Sequence, residues 1–160
     1  MQDTLITIFG STLLVPAQAK QILFAALIGL IIGMERELRH KPASLRTFAT
    51  IAVGSCLFAI LSVSAGGERQ HDVTRIAAQV VSGIGFIGGG VIFKTTDRIE
   101  GITTAALIWL TAGLGMACGF NQINLVTWAF AIGAGVHVTI FVIYRILYLF
   151  ERQPRLTDQD

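Results

Sequence analysis

The sequence predicts an all-α integral membrane protein, a polytopic bundle of about five transmembrane helices. Three observations carry this. The 160 residues are 53% hydrophobic and 14% charged, with a mean hydropathy of +0.68, where a soluble domain is about 25% charged. Five long apolar stretches are separated by short polar breaks, and helices satisfy their own backbone in lipid. None of the stretches alternates at period two, which argues against a barrel.

The apolar cores run over 22–34, 47–65, 76–93, 102–118 and 123–148. The first begins near Pro16, a residue suited to a helix start, with Lys20 reaching outward. Residues 1–19 precede it. Leu5 to Val15 is mostly apolar and Ala17-Gln18-Ala19 resembles a cleavage site, but only Asp3 is charged before it, and a signal peptide needs a positive start. An amphipathic or partly inserted segment is therefore expected over 1–19. A transmembrane domain follows over 20–150, and residues 151–160 form a short polar tail.

Lysine and arginine set the orientation. Arg36, Arg39, Lys41, Arg46, Lys94, Arg98, Arg145, Arg152 and Arg155 fall on one side of a five-span arrangement. Lys20, Arg69 and Arg75 fall on the other. The positive-inside rule then places the N-terminus outside and the C-terminus in the cytoplasm. The net charge of +2 without a basic run gives no footprint for nucleic acid. Cys56 and Cys118 sit in apolar runs and read as buried small hydrophobes. No zinc motif, cofactor motif or catalytic constellation is present, so no enzyme, catalytic residue or cofactor is expected. The partners implied are the lipid bilayer, other membrane proteins and a second copy of the chain, and any metal ligands stay unassigned.

The stretch "VVSGIGFIGGG" at 80–90 matches G-x-G-x-x-G. A dinucleotide site needs a strand before it, a helix after it and an acid about 20 residues on; here the match lies inside an apolar span. Small residues have another use in membranes, where they let backbones approach. Gly85 and Gly89 form G-x-x-x-G, as do Gly29 and Gly33, and Gly115 and Gly119. Gly83, Gly85, Gly88, Gly89 and Gly90 are thus candidates for helix packing or a hinge. The triplet weakens a helix by about 1 kcal/mol per glycine relative to alanine, which allows a kink or a straight, tightly packed helix.

A polar face precedes the glycines: Asp72, Arg75, Gln79, Ser82 and Phe86 share helical spacing. Gln79 at depth faces a cavity or joins a neighbouring helix. A second polar group comprises Glu35 and Arg36 at the end of the first span, Arg46 and Thr47 at the start of the second, and Thr103 and Thr104 at the start of the fourth. It reads either as an ordinary charged interface or as a polar cluster facing the two threonines. His137 in the fifth span reads as a proton relay or an interhelical hydrogen bond.

Three segments, "GLIIGMERELRHKPASLRT" at 29–47, "DVTRIAAQVVSGIGFIGGGVIF" at 72–93 and "GITTAALIWLTAGLGMACG" at 101–119, resemble the MgtC/SapB family of bacterial inner-membrane proteins. The family's G-F-L-G-A-G reads Gly85-Phe86-Ile87-Gly88-Gly89-Gly90 here, and Ser44 departs from its A-G-L-R-T. The resemblance implies a five-helix membrane domain, here in a short form without the cytoplasmic C-terminal domain of longer members. It also implies a setting of low magnesium, acid stress and survival in hosts. Two functions compete. One is a non-enzymatic membrane protein acting through partners in magnesium homeostasis and stress. The other is an ion transporter or channel for Mg²⁺ or another cation. Mg²⁺ wants oxygen ligands in near-octahedral array, and the five apolar cores hold no Asp or Glu.

Overall fold

The computed structural model describes residues 4–8, 11–65 and 74–151. They form, in order, strands β1 (Thr4–Ile8) and β2 (Ser11–Val15), helices α1 (Ala17–Leu38), α2 (Leu45–Ala65) and α3 (Thr74–Gly90), strands β3 (Phe93–Lys94) and β4 (Ile99–Glu100), then α4 (Ile102–Gly119) and α5 (Ile123–Glu151). Of the five helices, α1, α2, α4 and α5 are long and apolar enough to cross a membrane. The described part of α3 has 17 residues and follows directly on residues outside the description.

The segment before α1 pairs as an antiparallel hairpin, with Thr4 opposite Val15 and Ile8 opposite Ser11. Pro16 sits just before the first helical residue with φ −59°, the fixed value that prepares the chain for a helix. The third apolar stretch was expected to run to Phe93. The helix instead ends at Gly90, where the Val91 and Ile92 N–H groups donate back to Gly88 O (3.3 Å) and Gly89 O (3.2 Å) in a tightened last turn. Phe93 and Lys94 then pair with Glu100 and Ile99. Three glycines followed by β-branched Val91 and Ile92 explain the stop, because neither type favours continuing a helix.

The ribbon's turn is closed by the Thr95 N–H and hydroxyl, both donating to Arg98 O (2.9 and 3.0 Å). Arg98 Nε also meets Glu100 Oε1 at 2.7 Å, with the arginine largely exposed. Such surface pairs contribute about 0–1 kcal/mol. Glu100→Gln is therefore expected to leave the melting transition of the detergent-solubilised protein essentially unchanged.

The described residues through Val126 form one compact unit, and the described residues from Thr127 form another. Within the first, α2 packs against α1, α4 and α3, and α4 also packs against α1 and α3. Lipid supplies no hydrophobic force between helices, so association depends on close packing. The seams are accordingly made of small residues. Ala25, Ala52, Cys56, Ala59, Ala112 and Cys118 are buried, while Leu23, Leu27, Ile31, Phe58 and Trp109 are exposed. This inverts the usual soluble pattern, with bulk turned outward and small residues inward.

Two of the three G-x-x-x-G pairs lie on these seams. A Cβ on Gly29 would stand 2.6 Å from Phe48 O, and one on Gly33 the same distance from Leu45 Cα. On α4, a Cβ on Gly115 or Gly119 would stand 2.4 Å from the carbonyl oxygen of Ala52 or Cys56. The pairing of Gly29 with Phe48 and Gly33 with Leu45 makes α1 and α2 antiparallel. Gly115 with Ala52 and Gly119 with Cys56 makes α2 and α4 parallel. Alternation through the membrane requires this arrangement.

A cluster of Ala43, Phe48, Ile84, Ile108 and Ala112 fills the space between α2, α3 and α4. Phe48 is its largest fully buried side chain. Phe48→Ala is expected to destabilise the fold by about 3–5 kcal/mol, the range for deleting a buried aromatic ring. Its unfolding midpoint in mixed detergent micelles would show this. Buried Thr111 satisfies its own hydroxyl by donating to Leu107 O at 2.7 Å, a bond back along the helix that keeps a polar group tolerable at depth.

The fifth helix, taken by itself, runs 29 residues. His137 lies in it and the Thr139 hydroxyl donates to Gly135 O at 2.8 Å.

Candidate functional site

The helical period of α1 decides where its charges go. Gln21, Ala25, Ile28, Gly29, Gly33 and Arg36 form one buried stripe. Leu23, Leu27, Ile31, Met34 and Leu38 lie exposed. Gly33 brings α1 against the start of α2, and Arg36, three residues on, continues the stripe inward. The result is an arginine only 3% exposed, at the end of the unit where α2 and α4 begin.

Its partners are few. Arg36 Nη2 donates to Thr104 Oγ1 at 3.3 Å, joining α1 to the third residue of α4. Arg36 Nη1 lies 3.4 Å from Glu35 Oε2. The same Glu35 carboxylate also pairs with Arg39 Nε, one turn on, so two guanidiniums share one carboxylate. Arg36 Nε is buried with no hydrogen-bond partner. A buried donor left unmet costs about 1–3 kcal/mol, more when charged.

Both neighbouring helix ends are shaped by backbone rather than side chains. After α1, the His40 N–H donates to Glu37 O (2.9 Å) and the Lys41 N–H to Arg36 O (3.1 Å), with His40 at φ 52°. This is a Schellman closure with histidine in the left-handed position. It turns the chain into Ala43, which is buried at 5% exposure. Before α4, Gly101 is the N-cap residue at φ +90°, and no side chain caps the helix. A Cβ there would stand 1.8 Å from Val91 O. No serine, threonine or aspartate, the usual caps, fits that position.

Of the polar group read from sequence, the structure brings Glu35, Arg36 and Thr104 together. Arg46 and Thr103 are exposed and Thr47 is half-buried; among the described residues, Arg36's hydrogen bonds and ion pairs go to Thr104 and Glu35 and not to these three. Arg39 was not among the sequence candidates. Its signal was the spacing of four from Glu35, the separation at which helix neighbours pair.

On α3, Asp72 lies outside the described residues. Arg75, Gln79 and Ser82 are exposed, and Phe86 is 86% exposed. Gln79 lines an open groove of about 460 Å³ between α2 and α3, together with Thr50, Ser55, Phe58 and Gly83. Of the five glycines, Gly88 alone has a neighbour at its Cβ position, Ala105 at 3.7–3.8 Å. Gly83, Gly85, Gly89 and Gly90 have nothing within 4 Å. The contact face of α3 is instead the one bearing buried Ile84 and Gly88. Gly85 and Gly89 are rotated one residue away, about 100° around the helix. The helix is unbroken from Thr74 to Gly90.

Among the described residues, no group of three or more His, Cys, Asp or Glu is placed to hold a metal ion. The buried charge among the described residues is Arg36, bonded to Thr104 beside a helix start that no side chain caps.

These features define a multi-pass helical membrane protein whose seams are glycine-built and whose buried charge sits at one end. Comparison with known proteins gives the family. The MgtC family model matches residues 22–148, and the chain belongs to that family. It is 49% identical over 102 residues to Protein SapB of Bacillus subtilis (strain 168), covering 59% of this chain and 44% of that protein. It is 45% identical over 100 residues to Protein MgtC of Brucella abortus (strain 2308), covering 62% and 41%. With Protein MgtC of Salmonella typhimurium (strain LT2) it shares 44% identity over 101 residues, covering 63% and 42%. The match thus spans less than half the length of these relatives. No solved structure matches the chain.

Proposed function

We propose that the chain is a non-enzymatic protein of the bacterial inner membrane that serves adaptation to low magnesium and acid stress through membrane-protein partners. Its proposed orientation has the N-terminus outside and the Arg36 end facing the cytoplasm, as the lysine and arginine distribution favours. The setting is inferred from family membership. The partner mode, in preference to cation transport, rests on one observation: among the described residues of α1, α2 and α4, the buried charged side chain is Arg36. At about 6 Å and an effective dielectric of about 20, a guanidinium repels a divalent cation by about 5–6 kcal/mol before any screening. Glu35, which pairs with both Arg36 and Arg39, sets one negative charge beside two positive ones.

Reconstitution into liposomes carrying a Mg²⁺-sensitive dye tests the reading. The expected trace matches protein-free liposomes across an inward Mg²⁺ gradient. Saturable flux selective for Mg²⁺ would establish the transporter instead.

A further inference from the structure

We propose that Arg36, Thr104 and the N-terminus of α4 form a binding site for a phosphate oxyanion at the membrane boundary. Two independent observations meet there. The first is the start of an 18-residue helix with no side-chain cap. Close packing of Gly101 on Val91 O bars every residue that would normally supply one. Helix starts of this kind present N–H donors and a partial positive charge to an anion. The second is Arg36, nine-tenths buried, fixed to that same turn through Thr104 Oγ1 and holding an Nε donor without an acceptor.

The chemistry of the missing acceptor follows from the donors. Nε and an adjacent terminal nitrogen of a guanidinium form a fork that fits two oxygens of a phosphate. Thr104 adds a hydroxyl on the same turn. Glu35 is the carboxylate beside this fork, and it pairs with both Arg36 and Arg39. Lys41, Arg46 and Lys94 belong to the same end of the chain's helices. Glu37, Asp97 and Glu100 lie there too, and Glu100 is taken by Arg98. The local balance favours an anion. Its position at the ends of membrane-crossing helices is the depth at which lipid phosphates lie, and free phosphate offers the same oxygens.

The test uses the full purified chain in detergent. In one arm, phosphatidylglycerol is added and retained lipid is measured by native mass spectrometry. In the other, inorganic phosphate is titrated at constant ionic strength and thermal protection is measured against chloride. Each arm is repeated with Arg36→Met, Arg36→Lys, Thr104→Val and the exposed-site control Arg98→Met. Binding in the first arm, weakened roughly tenfold or more by Arg36→Met and Arg36→Lys but not by Arg98→Met, identifies a lipid headgroup. The same pattern in the second arm alone identifies free phosphate. Arg36→Lys and Thr104→Val report on the site even if Arg36→Met fails to fold. The proposal is overturned if neither probe binds, or if binding persists unchanged without the arginine fork.

Discussion

Gly115→Leu is expected to abolish the folded bundle. The first atom of any side chain at this position would fall 2.4 Å from Ala52 O and 3.0 Å from Ala52 Cα. Both belong to the backbone of α2, so no rotamer change relieves them; α2 and α4 must separate. Extra methylenes in a packed core usually cost about 1–3 kcal/mol. Here the whole seam, including Gly119 against Cys56, must open, and the loss should exceed that range. Gly115→Ala should already lower the midpoint of unfolding in mixed micelles. Gly85→Leu, with nothing within 4 Å of its Cβ, should leave the midpoint nearly in place. Equal sensitivity at the two positions would mean that the helices do not meet where the glycines place them.

Gly101→Ala is the second large effect. Its backbone has φ +90°, and an ordinary residue in a left-handed conformation costs about 1–2 kcal/mol. The 1.8 Å approach to Val91 O adds a clash that only movement of the Val91–Ile92 segment away from Gly101 can remove. The combined loss should exceed about 2 kcal/mol, with the start of α4 displaced from Arg36. Gly113→Ala is the matched control on the same helix. It has no neighbour within 4 Å and should gain up to about 1 kcal/mol from helix propensity. Loss of a comparable amount at both positions would show that helix propensity or expression, rather than the Gly101 contact, dominates.

Much of this was legible before any coordinates. Each apolar run became a helix because a backbone in lipid has few other ways to satisfy itself. The charged breaks marked the ends, and the stripe from Gly29 through Gly33 to Arg36 follows from helical period alone. That stripe is what makes Arg36 a buried charge and not another exposed one. Other features depend on which face meets a partner, and one sequence does not state that. Gly85-x-x-x-Gly89 has the same spacing as Gly115-x-x-x-Gly119. Yet α3 meets α4 through Ile84 and Gly88, so a rotation of one residue separates a seam from an open face. The strand pairings of Thr4–Ile8 with Ser11–Val15 and of Phe93–Lys94 with Ile99–Glu100 were missed for a related reason. Their apolar residues carry no period-two pattern, and pairing, not local preference, defines them. The Glu35–Arg39 pair was visible in its spacing, but the sharing of Glu35 between two arginines required the fold.

The central claim is that the buried stripe of α1 delivers Arg36 to the first turn of α4. A double-mutant cycle between Arg36→Met and Thr104→Val measures this directly, read as unfolding free energies in mixed micelles. A hydrogen bond to a charged group contributes about 1.5–3 kcal/mol, so the predicted coupling is at least about 1 kcal/mol. Additivity within about 0.3–0.5 kcal/mol, the behaviour of sites that do not touch, would contradict it.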